Sequence, residues 1–234
     1  MSLICFPIQA RTLAELKKKI QQLEKKADII EIWIDQLREN LITSQIKKLV
    51  SSCSKPLLIV NKPKEEQGNW HGSESDRIKK IIPWIHEKSA YVDVNYRVKS
   101  TDLKKLRSAC SPKSSIQIIL SYHNFESTPS LLTLQKIYNE AAKKEPDLIK
   151  IVTFAQTPED NKTIYELLLK NNHPQKIKLI AHTMGTLGKI SRIIAPLLGS
   201  QIVYLSSSNK AQTAPGQLTY QEYQACKKSL TFTP

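Results

Sequence analysis

The sequence predicts an α/β protein folded as a closed (β/α)8 TIM barrel, and three observations predict it. Short apolar runs rich in β-branched residues alternate with amphipathic segments, and they do so eight times. The amphipathic segments are long enough to return over a sheet, which makes successive strands parallel. A chain of 234 residues suffices for one core, and eight such units in one domain spanning 1–234 imply closure rather than an open sheet. An open doubly wound sheet is the alternative, but no GxGxxG fingerprint follows the first strand.

The strand candidates are, in order, residues 4–10, 29–35, 56–62, 91–97, 115–123, 147–155, 176–184 and 201–207, each bounded by polar or turn residues. Helical segments fall between them. The first opens on Thr12 with Glu15 three residues on, the spacing of a capping box. Pro158 stands at a helix start, where its missing N–H costs nothing, whereas Pro83 and Pro196 should kink or divide their helices.

With 40% hydrophobic and 24% charged residues the composition is that of an ordinary globular protein. No stretch approaches the roughly 20 apolar residues that span a bilayer, and the N-terminus lacks a basic region ahead of its short apolar run. A cytoplasmic location without membrane association is the expectation. Cys5, Cys53, Cys110 and Cys226 are widely spaced, form no CxxC pair and read as reduced thiols rather than metal ligands. The formal charge of +14 favours anionic partners without selecting one. Its lysines come mainly as pairs at helical spacing and lack interleaved aromatics, which reads as solvated helix faces rather than a nucleic-acid footprint.

In a barrel, function gathers at the C-terminal strand ends and the loops beyond. The polar residues interrupting the apolar runs are Glu31, Asn61, Lys62, Asn95, His123, Lys150 and His182. Lys150 lies inside the apolar run DLIKIVTF. Desolvation there lowers an amine's pKa, so it can attack a carbonyl and form a Schiff base; the alternative is an ammonium that snorkels to solvent. His123 ends the preceding strand as a proton shuttle or as a histidine packed at the rim. Glu66, in the loop after strand three, either orients a histidine or is an ordinary solvated acid. Glu31 sits between apolar neighbours and should be paired or bind a hydroxyl. Arg192, one turn into a helix after a Gly-rich turn, holds a carboxylate or ends in a surface ion pair. The Ser/Pro/Gly-rich stretch SSSNKAQTAPGQLT after strand eight is placed either to close over a site or merely to connect.

Several segments, in order, are EIWID, NKPKEEQG, YVDVNY, ILSYHNFESTP, DLIKIVTFA, HTMGTLGKISR and TAPGQ. With them the chain resembles the type I 3-dehydroquinate dehydratases, the Schiff-base class of the shikimate pathway, over nearly its whole length. The resemblance implies that Lys150 is the Schiff-base lysine, His123 the catalytic histidine and Glu66 its support. It also implies that Arg192 and Gln217 grip the substrate's carboxylate and hydroxyls, with Thr213 where the family usually has serine, and that Glu31 binds ring hydroxyls. The substrate implied is 3-dehydroquinate, with no cofactor or metal, and a homodimer is the common assembly. Three positions depart from the pattern: Trp33 stands where an arginine is usual, Lys62 replaces another arginine as a substrate-side cation, and Asn95 replaces a glutamate. Losing one guanidinium fork and exchanging another for a point charge should weaken the grip on hydroxyls and the ordering of the pocket. A Schiff-base aldolase, a non-enzymatic binding barrel and a nucleic-acid module stand as the rival readings.

Overall fold

The structure is a computed structural model that describes residues 2–38, 41–85, 89–109 and 116–230. Eight strands form where the apolar runs stand: β1 (Leu3–Ile8), β2 (Ile29–Trp33), β3 (Leu57–Val60), β4 (Ser89–Asn95), β5 (Gln117–His123), β6 (Leu148–Phe154), β7 (Lys178–Met184) and β8 (Ile202–Tyr204). The helices are α1 (Leu13–Leu23), α2 (Thr43–Ser52), α3 (Glu74–Ile81), α4 (Ser100–Ala109), α5 (Leu131–Ala142), α6 (Glu159–Asn171), α7 (Ser191–Ile194) and α8 (Tyr220–Leu230). All pairings are parallel, in the order β7-β6-β5-β4-β3-β2-β1-β8. The ends of that sheet meet at a thin seam, where Gln201 N donates to Leu179 O (3.1 Å) and Ala181 N to Ser200 Oγ (3.2 Å). The barrel of the sequence reading is thereby nearly closed.

Strand alternation sends every second side chain inward. Outward residues such as Ile30, Ile32, Ile59, Val92, Leu120 and Ile151 pack under the helices. The inward set holds Cys5, Ile29, Leu58, Ile119, Leu148 and Ile180 in an apolar layer of its own. Two residues further along the same strands the inward positions turn polar: Ile29 gives way to Glu31, Tyr91 to Asp93, Leu148 to Lys150 and Ile180 to His182. The apolar layer is the floor, and polar groups collect at the C-terminal mouth.

Pro83 and Pro196 behave as expected: α3 passes at Ile82 into a 3-10 turn (Ile82–Trp84), and α7 passes at Ala195 into another (Ala195–Leu198). Thr12 Oγ1 accepts from Glu15 N (3.1 Å), while the Glu15 carboxylate reaches back to Arg11 N (2.8 Å). Pro158 stands at the start of α6, and Asp160 Oδ2 reaches back to the segment before it, accepting from Gln156 N (2.8 Å) and Thr157 N (2.9 Å).

Several boundaries differ from the sequence reading. β3 ends at Val60, not Lys62, because Lys62 N leaves the ladder to donate to Asp35 Oδ1 (2.8 Å). β8 ends at Tyr204 because Ser206 pairs with its own return segment at Thr219, with Ser206 N donating to Leu218 O (2.9 Å). The lysine pairs at 79–80, 104–105 and 227–228 are exposed, as solvated faces are; Lys144 instead donates to Tyr96 O (2.6 Å) and Val98 O (2.8 Å). Cys5 and Cys53 are buried free thiols and Cys226 is a half-buried one, while Cys110 lies outside the described residues, as does Ser115 at the start of the fifth apolar run. Among the described residues no helix is long and apolar enough to cross a membrane.

Candidate active site

Glu31, Lys62, Glu66, His123, Lys150, Arg192, Thr213 and Gln217 all line one cavity at the barrel mouth, with about 490 Å³ of space between its atoms. β2, β5 and β6 deliver Glu31, His123 and Lys150, and the segments after β3, β7 and β8 supply the rest. Asn61, one residue from Lys62, points the other way and lines an outer groove with Ile34 and Trp84, its carbonyl accepting from Arg77 Nη1 (2.6 Å).

Two ion clusters share the cavity. In the first, Lys150 Nζ donates to Asp93 Oδ2 (3.0 Å) and stands 3.8 Å from Glu31 Oε2. In the second, Glu66 Oε2 accepts from Lys62 Nζ (2.8 Å) and lies 3.1 Å from His123 Nδ1, and Glu66 Oε1 accepts from Asn95 Nδ2 (2.9 Å). The His123 contact is close but off-axis, leaving Nδ1 without an aligned hydrogen bond. Lys62 Nζ, 4.0 Å from Asp93 Oδ2, joins the two clusters. All five ionic residues of these clusters apart from the histidine are buried, so each charge depends on its partners.

The charge state of Lys150 corrects the sequence expectation. Burial pulls its pKa down, but Asp93 and Glu31 outweigh it and push the amine up to about 12. The apolar neighbours in DLIKIVTF are real, yet β2 and β4 bring carboxylates that a single strand does not reveal. Burial raises the carboxyl of Asp93, but Lys150 and Lys62 bring it down to about 2. Burial likewise raises Glu66, and Lys62 and His123 hold it well below the usual carboxylate range. Burial and Lys62 together pull the His123 imidazole below its ordinary value despite Glu66, so it is neutral at pH 7 and able to accept a proton.

Arg192 is the other decisive group. It is 3% exposed, burial lowers its pKa to about 10, and it is still charged at neutral pH. Its Nε and Nη2 have no hydrogen-bond partner among the described residues. Those two atoms form one edge of the guanidinium fork, the edge that matches a carboxylate bidentately. A surface ion pair is thereby ruled out for this side chain. His182 packs beside it, held neutral by burial and by Arg192.

The Ser-rich segment after β8 folds over the mouth. Gln217 Oε1 accepts from Thr213 N (2.8 Å) and Thr213 Oγ1 (3.3 Å), and Gly185 N donates to Pro215 O (3.1 Å). Gly216, at φ +70°, presses so close to Gly185 O that no Cβ fits. The bare Cα of Gly216 lets the two backbones touch, which seats Thr213 and Gln217 against the cavity.

The chain matches the sequence profile described as Type I 3-dehydroquinase over residues 4–231. The chain belongs to the type I 3-dehydroquinase family. Its relatives include the 3-dehydroquinate dehydratase of Methanocaldococcus jannaschii, 33% identical over 217 residues that cover 92% of this chain and 93% of that protein. The enzyme of the same name from Pyrococcus abyssi is 32% identical over 228 residues, covering 97% and 98% respectively. The crystal structure of 3-dehydroquinate dehydratase from Geobacillus kaustophilus aligns with a TM-score of 0.88 at 21% identity, covering all 100% of this chain and 93% of that one, which shows the shared barrel.

The three departures from the family pattern each hold a site carboxylate. Trp33 Nε1 donates to Glu31 Oε1 (2.6 Å), Lys62 pairs with Glu66, and Asn95 donates to Glu66. Each of the three residues thus supplies a donor to a site carboxylate. Sequence reasoning missed Asp93 and Tyr204. Asp93 carries the same signal as Glu31, an acid centred in an apolar strand. Tyr204, an aromatic in a short apolar run, gives no signal of its own.

Proposed function

We propose that this protein dehydrates 3-dehydroquinate to 3-dehydroshikimate through a Schiff base on Lys150. One observation carries the reading: a buried lysine amine shares one cavity with a neutral histidine and with a buried arginine whose fork edge has no partner among the described residues. The enzyme is a lyase that needs no cofactor for this chemistry.

Lys150 rests as an ammonium, so its proton must leave before it attacks; His123, neutral and in the same cavity, is the acceptor. The free amine adds to the C3 ketone, and His123 returns its proton to the carbinolamine hydroxyl, which leaves as water to give an iminium and a neutral imidazole. That cation withdraws electrons from C2, whose proton His123 removes to leave an enamine. The enamine's electrons then expel the C1 hydroxyl, which takes a proton from His123 and departs as water. Hydrolysis of the conjugated iminium consumes one water, returns the ketone and frees Lys150, so the net loss is one water.

Glu66 keeps His123 oriented, and Lys62 and Asn95 keep Glu66 in place. Arg192 takes the substrate's carboxylate, while Glu31, Thr213 and Gln217 serve its hydroxyls. Arg192→Met should raise KM and lower kcat/KM roughly a hundredfold, about 3 kcal/mol for two charge-assisted hydrogen bonds, measured by steady-state kinetics.

The test of the reaction is intact mass after incubation with 3-dehydroquinate and borohydride, followed by peptide mapping. The expected result is a stable adduct on Lys150. A folded protein that turns over substrate without one would sink the covalent mechanism.

A further inference from the structure

We infer that the ring face of Tyr204 is a ligand for the positive charge on Lys150 Nζ, as the ammonium before reaction and as the iminium during it. This rests on the Schiff-base reading above and adds to it a residue from β8. Lys150 Nζ stands 4.2 Å from the centre of the Tyr204 ring, inside the range at which a cation is drawn to an aromatic face. Tyr204 is buried, pairs in register with Cys5 of β1, and lines the same cavity. Its ring leans on that of His182 at 6.1 Å, which fixes the face it turns to the lysine.

The chemistry gives the ring a task that Asp93 does not complete. An ammonium has three N–H donors, and one of them reaches Asp93 Oδ2 at 3.0 Å. When the nitrogen becomes an iminium, two of those donors are gone while the charge stays. Attraction to a π face needs no donor hydrogen; it follows charge and distance. The ring therefore goes on stabilising the cation after the directional bonds thin out. The neutral carbinolamine and enamine draw no comparable help, so the ring favours the charged forms over the neutral ones.

An isosteric series separates this from space filling. Tyr204→Phe is made first, followed by phenylalanines bearing one, two and three ring fluorines at position 204, which keep the shape and drain negative charge from the face. Carbamylation of Lys150 by cyanate at pH 8, without substrate, reads the free amine. Borohydride capture with 3-dehydroquinate across a pH range reads the protonated imine. Cys5, Glu31, Asp93, His123 and His182 face the same nitrogen, Lys62 stands beyond Asp93, and all are unchanged throughout.

Tyr204→Phe should stay within about twofold of wild type in both readouts. Across the fluorinated series carbamylation should rise stepwise, by about tenfold in total, and the pH above which capture is lost should move down by about one unit. Flat profiles in both readouts would overturn the inference. So would a Tyr204→Phe protein that shifts as far as the whole series, since the hydroxyl and not the ring would then be responsible. Wild-type protein that forms no adduct at all would defeat the Schiff-base reading, and the cyanate series would still report on the ring.

Discussion

Lys150→Met yields no borohydride adduct with 3-dehydroquinate, and its kcat/KM falls by roughly 10⁴-fold or more, as expected when a covalent nucleophile is removed. The same change costs stability. Asp93 loses the cation 3.0 Å away and keeps only Lys62 at 4.0 Å, while Glu31 loses its sole nearby ammonium among the described residues. Breaking a buried pair in this way costs about 3–5 kcal/mol, offset in part when Asp93 protonates. The depressed Asp93 carboxyl stabilises the wild-type fold above its unfolded value of 3.8, and that stability is lost as pH falls through about 2. In Lys150→Met the loss moves to higher pH. Mass spectrometry, initial rates and thermal melts at several pH values check the three parts separately, and a variant with undiminished turnover would refute the role of the lysine.

His123→Ala has the next largest effect, a fall in kcat of about 10²–10⁴-fold, the range for removal of a general acid–base group. The protein should still bind substrate, because Arg192 is untouched, and any adduct should accumulate slowly and persist. In the wild type the acid limb of the kcat/KM profile should lie below the ordinary imidazole value, because burial and Lys62 lower His123 and the base form is lost only as pH falls through that lowered value. A Lys62→Met protein should move this limb upward, since one of the cations that lower the imidazole is gone while Glu66 still raises it. A limb that stays in place would mean that another group governs it.

Much of this was legible in the chain and the remainder has identifiable physical causes. The alternation of apolar runs and amphipathic segments specifies the barrel, and polar residues at the ends of those runs mark the mouth. Lys150, His123 and Glu31 stand out because a barrel strand has little room for an unpaired polar group. Arg192 could be noticed but not decided, since only packing shows whether a helical arginine is exposed or sealed with its fork empty. The protonation of Lys150 was beyond reach, because it depends on carboxylates from β2 and β4 that the fold, and not the sequence around the lysine, brings within 4 Å. Thr213 and Gln217 emerged through resemblance alone, and Tyr204 not at all, for an aromatic in an apolar run looks like any other core residue. Short strands were overextended at Asn61–Lys62 and Ser206, where the backbone leaves the ladder for partners distant in sequence, Asp35 and Leu218.

The thin seam between β7 and β8 sets two groups of site residues apart. Lys150, His123, Asp93 and Glu31 stand on strands stitched to both neighbours, whereas Arg192 and the Thr213–Gln217 segment hang from the two edges that meet through Gln201 and Ser200. The nucleophile and its carboxylates are therefore held by ladder bonds on both sides, whereas the residues that grip the ligand follow strands with a full ladder on one side only. Substitutions along those two edges can retune which acid is held without passing through the strands that carry the nucleophile.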